Sequence, residues 1–380
     1  MKKKETIISQ FESSFGKWVI KFRWGIICFT ILFVCIAAYG IRFITFNNDT
    51  RVFFSDKNPQ LQALETLENT YNKITNVLFV IAPRDGDVFT RETLEAVENL
   101  TKESWQIPFS SRVNSITNFQ HIEANGDDII IEDLIQNAQN FSDYDIEIVR
   151  NIALKEPELV NSLISPTGHV TGVSVNIILP GESIAEVTEV AFASRKLVQE
   201  ISEKYPQIKI HLTGSVIIDN AFGEVSQRDM SSLVPLMFVI LIFIVGLALR
   251  SFVGTLSSFV VILISMVVGL GFAGWTGIEI TSASVNAPLI ILTLAVADSV
   301  HILATLFQHL RQGKSKKEAI VESLRINFQP VLLTSITTAI GFLSMNFSDA
   351  PPFRDLGNIV CMGVLAAFVF SVTFLPAFLA

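Results

Sequence analysis

Two side chains able to carry protons stand three residues apart in an apolar run: Asp298 and His301 in LAVADSVHI, Leu294 to Ile302. Residues three and four apart share a helix face, so Leu294, Asp298, His301 and Thr305 form one stripe. An ionised carboxylate inside a bilayer costs about 2.5–3.5 kcal/mol even on the lenient insertion scale. Asp298 therefore needs a reason to be there, and its face is expected to look away from lipid. Further along, Thr334, Thr337, Thr338 and Gly341 follow the i, i+3, i+4, i+7 spacing and are expected to pack on Asp298 as a supporting polar stripe. Gly269 and Ala273 form a small-xxx-small pair suited to close helix contact. Two readings of the polar residues are open. Either Asp298 is a hydrogen-bonded structural residue with His301 its satisfied neighbour, or the two form a proton relay, since a desolvated carboxyl and an imidazole can both titrate near neutral pH.

The elements that must hold these residues are membrane helices. The chain has 380 residues, 50% hydrophobic and only 17% charged, with a mean hydropathy of +0.48, which is more apolar than a water-soluble domain of this length needs. Five windows have the length and apolarity of a spanning helix: Gly25 to Ile41, Leu233 to Leu249, Phe252 to Gly274, Ala287 to Phe307 and Gly357 to Leu379. A sixth, Pro330 to Asn346, is more polar. The long basic stretch before Gly25, with Lys2, Lys3, Lys4, Lys17, Lys21 and Arg23, and an apolar run beyond the usual ~7–15 residues predict a retained first span in place of a signal peptide. Lys and Arg near span ends tend to stay cytoplasmic. That rule puts the N-tail, Arg250 and the cluster Arg311, Lys314, Lys316, Lys317 and Arg325 inside, with only Arg354 on an outer loop.

Between the first two spans, Phe46 to Ser232 holds 28 acidic and 14 basic residues, more than the whole formal charge of −8. This is expected to be an outward-facing acidic domain, and its charge argues against nucleic acid as a partner. Its pattern reads strand (Thr75 to Pro83), helix (Thr90 to Gln106) and strand (111–119), then strand (His169 to Leu179), helix (Ser183 to Tyr205) and strand (207–214). Two such units predict a split, ferredoxin-like α+β sandwich; the intervening Gln120 to Thr167 reads as short helical pieces and loops. After the fourth span, Ser315 and Glu318 form a capping box that opens an amphipathic helix, expected to lie along the inner membrane surface and to end at Pro330.

Other chemistry has little to stand on. Cys28, Cys35 and Cys361 all fall in spans, so the outer domain has no disulfide framework. Gly313 to Ser315 is not a phosphate-binding loop, because Gln308 stands where its first glycine belongs. His121, His169 and His211 are scattered and read as solvated or structural. No nucleophile-base grouping, clustered metal ligands or nucleotide loop points to an enzyme, a cofactor or a metal.

LAVADSVHI, the basic helix after it, LLTSITTAIGFLSM (Leu332 to Met345), DTRVFFSDKNPQLQALETLENTY just beyond the first span and FLPAFLA at the end resemble the RND superfamily of exporters, in its MMPL-like branch. The resemblance covers essentially the whole chain and matches the N-terminal half of such proteins. Members typically have two halves in tandem, each with one span, a large outer domain and five more spans, and proton relay is assigned to acids of the fourth span. The resemblance places Asp298 at that position. Family sequences often carry an acidic pair or Asp-Tyr there, whereas this chain reads Ala297, Asp298, Ser299.

The combined expectation is a membrane α-helical bundle of six transmembrane helices with an inserted extracytoplasmic α+β ferredoxin-like, porter-type domain. Its parts are a cytoplasmic N-tail (1–24), the first transmembrane helix (25–45), the outer domain (46–232), and transmembrane helices two to six (233–380) with the amphipathic cytoplasmic helix at 315–329. The resemblance implies export of a hydrophobic or amphiphilic molecule, lipid or drug-like, driven by the proton-motive force, from the inner membrane of a bacterium. The expected partners are that molecule, protons, the membrane and a second transporter half. That half is either the rest of a longer protein, of which this chain is a fragment, or a partner subunit. The same bundle also suits a SecDF-like role in protein export, or a lipid-sensing module that does not transport.

Overall fold

The computed structural model describes residues 7–380 except 48, 72–74, 126–127, 182 and 184. They form two compact units: Gln62–Phe222, and Met1–Leu61 together with Gly223–Ala380. The chain opens with α1 (Ile7–Lys21) and the apolar α2 (Arg23–Gly40), and α3 (Pro59–Thr70) leads towards the first sheet. The residues before 25 are expected to form a basic cytoplasmic tail. The structure makes most of that tail a helix, because Phe15, Val19 and Ile20 recur at helical spacing and meet an apolar partner.

The α+β unit contains β1 (Thr75–Pro83), α4 (Arg91–Ser104), β2 (Ser110–Asn114), β3 (Gln120–Asn125), β4 (Asp128–Asp133), α5 (Asp143–Ala153), β5 (Thr171–Ile177), α6 (Ala185–Lys204) and β6 (Ile208–Thr213). Four strands form an antiparallel sheet in the order β2-β5-β1-β6. Alternation along β1 buries Val77, Phe79 and Ile81 completely, in one cluster with Leu94, Val97 and Leu100 of α4 and Val190, Leu197 and Ile201 of α6. Thr90 starts α4 by accepting from the Thr93 backbone N–H. β2 is shorter than its expected run because side chains close a turn after it. The Ser115 N–H donates to Asn118 Oδ1 at 2.8 Å, and Asn118 Nδ2 donates to the Val113 carbonyl at 2.7 Å. The stretch expected to be helical pieces and loops instead begins with the hairpin β3–β4, in which Ile122 pairs with Ile131.

The helical unit continues through α7 (Ser215–Arg228), whose first residues belong to the α+β unit, a π-helical turn at Asp229–Leu233 and α8 (Val234–Leu249), then α9 (Phe252–Thr276), α10 (Ala287–Arg311), α11 (Lys316–Leu343), α12 (Pro351–Val372) and α13 (Phe374–Leu379). Six helices, Arg23–Phe43, Ser215–Leu249, Phe252–Thr276, Ser284–Arg311, Lys316–Phe347 and Pro351–Leu379, are long and apolar enough to cross a membrane. Their polarity is the reverse of a water-soluble bundle. Phe29, Val239, Phe243 and Leu247 are exposed, while Ser265, Ser299, Ser371 and Asp298 are buried. Such an arrangement suits lipid outside and hydrogen bonding within.

Helix contacts depend on small residues. A Cβ at Gly271 would overlap the Ala37 carbonyl oxygen, and one at Gly274 the Gly40 carbonyl, so α2 and α9 touch backbone to backbone. Trp275 Nε1 donates across the same contact to the Ile36 carbonyl at 3.0 Å. Gly269 faces elsewhere, towards Ile291 of α10 and Ile359 and Gly363 of α12, and Ala273 is buried with the same helices.

α11 departs from expectation. Its capping box is present, with the Glu318 N–H reaching Ser315 Oγ and Glu318 Oε2 accepting from the Ser315 N–H at 3.0 Å, but the helix runs unbroken past Pro330. Pro330 removes one N–H, yet buried Ile320 and Leu324 before it and Val331 and Ala339 after it hold both halves in place. Membrane helices tolerate proline when neighbouring packing does this. The first half of α11 also packs into the bundle: Ser323 Oγ donates to the Ile302 carbonyl of α10 at 2.6 Å, and Phe15 of α1 meets Phe328 edge-on with ring centroids 5.2 Å apart.

Candidate functional site: a buried carboxyl between two membrane helices

Asp298 lies midway along α10, an uninterrupted apolar helix that starts with Pro288 in its first turn. Its side chain is only 7% exposed. Ser335 Oγ of α11 donates to Asp298 Oδ2 at 3.1 Å. The same hydroxyl lies 2.8 Å from the Val331 carbonyl of its own helix, so one hydrogen is shared between two acceptors. Among the described residues no cation pairs with Asp298.

Ser335 belongs to a stripe repeating every four residues along α11: Ser323, Asn327, Val331, Ser335 and Ala339, all buried. Below Ser335, Asn327 Nδ2 donates to Thr305 Oγ1 at 2.8 Å and to the Ser323 carbonyl at 2.9 Å. A ladder of side-chain hydrogen bonds thus joins the two helices below the carboxyl. On the other side of α10, Ser299 Oγ donates to the Ala295 carbonyl at 2.9 Å and lies 3.5 Å from Ser371 Oγ of α12.

The residues singled out from sequence are not all brought together. Asp298 and Thr305 meet α11, as the shared stripe implies. His301 is exposed, and its imidazole forms no hydrogen bond among the described residues; its backbone carbonyl accepts from Thr305 Oγ1 at 3.1 Å. Thr334 and Thr337 are exposed and bond back to carbonyls of their own helix, Thr334 to Pro330 and Val331, and Thr337 to Leu333 and Thr334. Thr338 is half-buried. The threonine stripe therefore lies about a quarter-turn from the face that reaches Asp298, since each residue advances the helix by about 100°. Ser335 sits inside that quoted segment but off the threonine spacing. The four-residue recurrence of Ser323, Asn327 and Ser335 is the sequence signal that marks it.

Chemically, this arrangement holds one carboxyl away from water with a single hydroxyl donor. A carboxyl is a group that can hold or release a proton, and this one lies at the contact between α10 and α11. A family model described as the MMPL family matches residues 54–380. The chain belongs to the MMPL family. This MMPL chain is similar to the sulfolipid-1 exporter MmpL8 of Mycobacterium tuberculosis, 24% identical over 203 residues, which cover 52% of the chain and 19% of that protein. The transport protein MmpL10 of Mycobacterium leprae is 22% identical over 265 residues, 67% of the chain and 26% of that protein. The membrane protein MJ1562 of Methanocaldococcus jannaschii is 22% identical over 172 residues, 45% of the chain and 44% of that protein. The MMPL chain thus spans less than half the length of each of these relatives. It is a multi-pass membrane protein of RND type.

Proposed function

We propose that this MMPL chain is half of a transporter that uses the proton-motive force to export a hydrophobic or amphiphilic molecule, lipid or drug-like, from the inner membrane of a bacterium. The observation that carries this reading is Asp298, a buried carboxyl in an apolar helix with one shared hydroxyl donor. A purely structural hydrogen bond has no need of an ionisable group there, and intramembrane acids mark proton and ion pathways. Asp298 takes up and releases the proton, and His301 passes it on. Thr334, Thr337 and Thr338 line the adjacent face. Each charge crossing about 100 mV supplies about 2.3 kcal/mol, enough to bias two packings of a helix pair.

A second half is supported by what α10 and α11 leave uncovered. His301, Thr334 and Thr337 are exposed on helices whose composition is apolar, and polar groups of membrane helices face protein or a water-filled path. A partner half covering them completes the relay. The outer domain is taken as porter-type and ferredoxin-like on the strand order β2-β5-β1-β6 with α4 and α6 each joining a strand pair. The named activity of the mycobacterial sulfolipid exporter makes a lipid the leading substrate class.

The test is transport by the full-length protein in proteoliposomes with an imposed pH gradient. Asp298→Asn keeps the size and a hydrogen-bonding group but cannot titrate. It is expected to abolish proton-coupled export while the protein still inserts and folds. Undiminished coupling in Asp298→Asn would overturn the assignment.

A further inference from the structure

A cavity of about 760 Å³ opens between α1 and the start of α11. It is lined by Lys17, Ile20 and Lys21 on one side and by Lys314, Lys317, Glu318, Val321 and Glu322 on the other. The two helices pack firmly beside it, since a Cβ at Gly16 would come within 3.2 Å of the Val321 Cα. The four lysines come in two pairs, Lys17 and Lys21 on α1 and Lys314 and Lys317 at the start of α11, and none forms an ion pair among the described residues. The two acids in the wall are already engaged. Glu318 Oε2 accepts from the Ser315 backbone N–H and from Ser315 Oγ, at 3.0 and 2.7 Å, and Glu322 is held by Arg325 through bonds of 2.9 and 2.6 Å. The cavity therefore gathers four ammonium groups around Ile20 and Val321, with Lys21 also lying over the Phe22 ring at 5.3 Å and Lys314 acting electrostatically on Glu318 and Glu322.

We propose that this cavity binds the phosphate-bearing headgroup of an anionic phospholipid from the adjoining leaflet. Depth supports a lipid source over a free anion. The first membrane-capable helix begins at Arg23, two residues after Lys21, which puts the lysines at headgroup level. Exposed Trp18, Phe22 and Trp24 surround that point, as aromatic side chains do at membrane interfaces. Ile20 and Val321 give the glycerol and upper acyl carbons an apolar contact that inorganic phosphate would not use. A cluster of lysines beside a span attracts anionic lipid, each contributing roughly fivefold in affinity for an anionic leaflet. Nothing in this assignment depends on Asp298 or on proton coupling.

The test titrates the purified full-length protein in neutral detergent with dioctanoyl-phosphatidylglycerol and, separately, with dioctanoyl-phosphatidylcholine, counting bound lipid by native mass spectrometry. Phosphatidylglycerol is expected to bind about tenfold or more tightly than phosphatidylcholine. The combined variant Lys17→Gln, Lys21→Gln, Lys314→Gln and Lys317→Gln is expected to lose that preference, and the corresponding four-arginine variant to keep it. If the glutamine variant misfolds, the pairs Lys17→Gln/Lys21→Gln and Lys314→Gln/Lys317→Gln are each expected to lose part of the preference. Equal binding of both lipids, or an unchanged preference in the glutamine variants, overturns the proposal. Displacement of phosphatidylglycerol by millimolar inorganic phosphate at constant ionic strength also overturns it, in favour of a soluble phosphate ligand. Transport by Asp298→Asn is measured separately, so either assignment can fail alone.

Discussion

Asp298 and the Val331 carbonyl compete for the single hydrogen of Ser335. On the proposed relay, protonating the carboxyl weakens its hold on that hydrogen and favours the bond to Val331, which would make Ser335 the side chain through which α11 responds to the state of α10. Ser335→Ala is expected to cost little stability, about 0.6 kcal/mol for an average interhelical hydrogen bond in a membrane. It is also expected to move the pH midpoint of transport, with Ser335→Thr restoring it because the hydroxyl returns. Export rates across a series of internal pH values read this directly. A midpoint unmoved in Ser335→Ala would reduce Ser335 to packing. Asp298 was legible from sequence because a carboxylate in an apolar run stands out by composition. Ser335 was not: three threonines in the same segment offered a more regular spacing, and the rotation of α11 that turns Ser335 inward is set by its buried neighbours Leu324, Val331 and Ala339.

At the level of elements, patterns that depend on neighbours in sequence were readable and those that depend on neighbours in space were not. β1 spans the residues its alternation indicates, and α4, β5, α6 and β6 differ from their expected limits by a few residues at most. The β3–β4 hairpin went unread despite the Asn125-Gly126 pair, a strong turn signal, because the flanking runs are short and charged. The closest helix contact was missed as well. Gly269 and Ala273 were the visible small pair, whereas Gly271 and Gly274 meet α2, and only the fold shows which side of α9 that helix occupies. Gly271→Ala is accordingly expected to destabilise the bundle by about 1–3 kcal/mol or more through overpacking against backbone. Gly25→Ala, where a Cβ meets nothing within 4 Å, should be neutral or gain up to about 1 kcal/mol. Thermal unfolding of the two variants in one detergent compares them, and equal midpoints would mean that α2 and α9 do not touch there.

The α+β unit has its own electrostatic anchor. Burial pushes the Glu98 carboxyl up, but donors from Lys102 at 2.9 Å and from the Ala138 and Asn137 backbone N–H groups at 2.9 and 3.1 Å outweigh it and hold Glu98 below the usual glutamate range. A depressed folded-state value means that this stability is present above the unfolded glutamate pKa and is lost as pH falls through the folded one. Hydrogen-exchange protection around 134–140 should therefore decline on acidification in the parent protein. Glu98→Gln should begin with lower protection and show a flatter pH response. Parallel curves would assign the acid response to another group.

For the molecule as a whole, the distribution of polarity is the argument. Exposed faces of the long helices carry apolar side chains such as Phe29, Val239, Phe243 and Leu247, yet α10 and α11 present His301, Thr334 and Thr337 where an isolated bundle would meet acyl chains. Polar side chains at membrane depth are costly unless protein or water covers them. This chain spans 44% of one relative and 26% and 19% of two others, which leaves ample chain in such proteins to provide the cover. With Cys28, Cys35 and Cys361 replaced, a spin label at Thr337→Cys and another at Leu247→Cys, on the exposed face of α8, distinguish the two environments in liposomes. Oxygen partitions into lipid, so the label at 247 should be freely relaxed by it, and the label at 337 should be shielded in the full-length protein. Equal accessibility at both positions would mean that the polar face meets lipid, and the second half would then have to sit elsewhere than against the proposed relay.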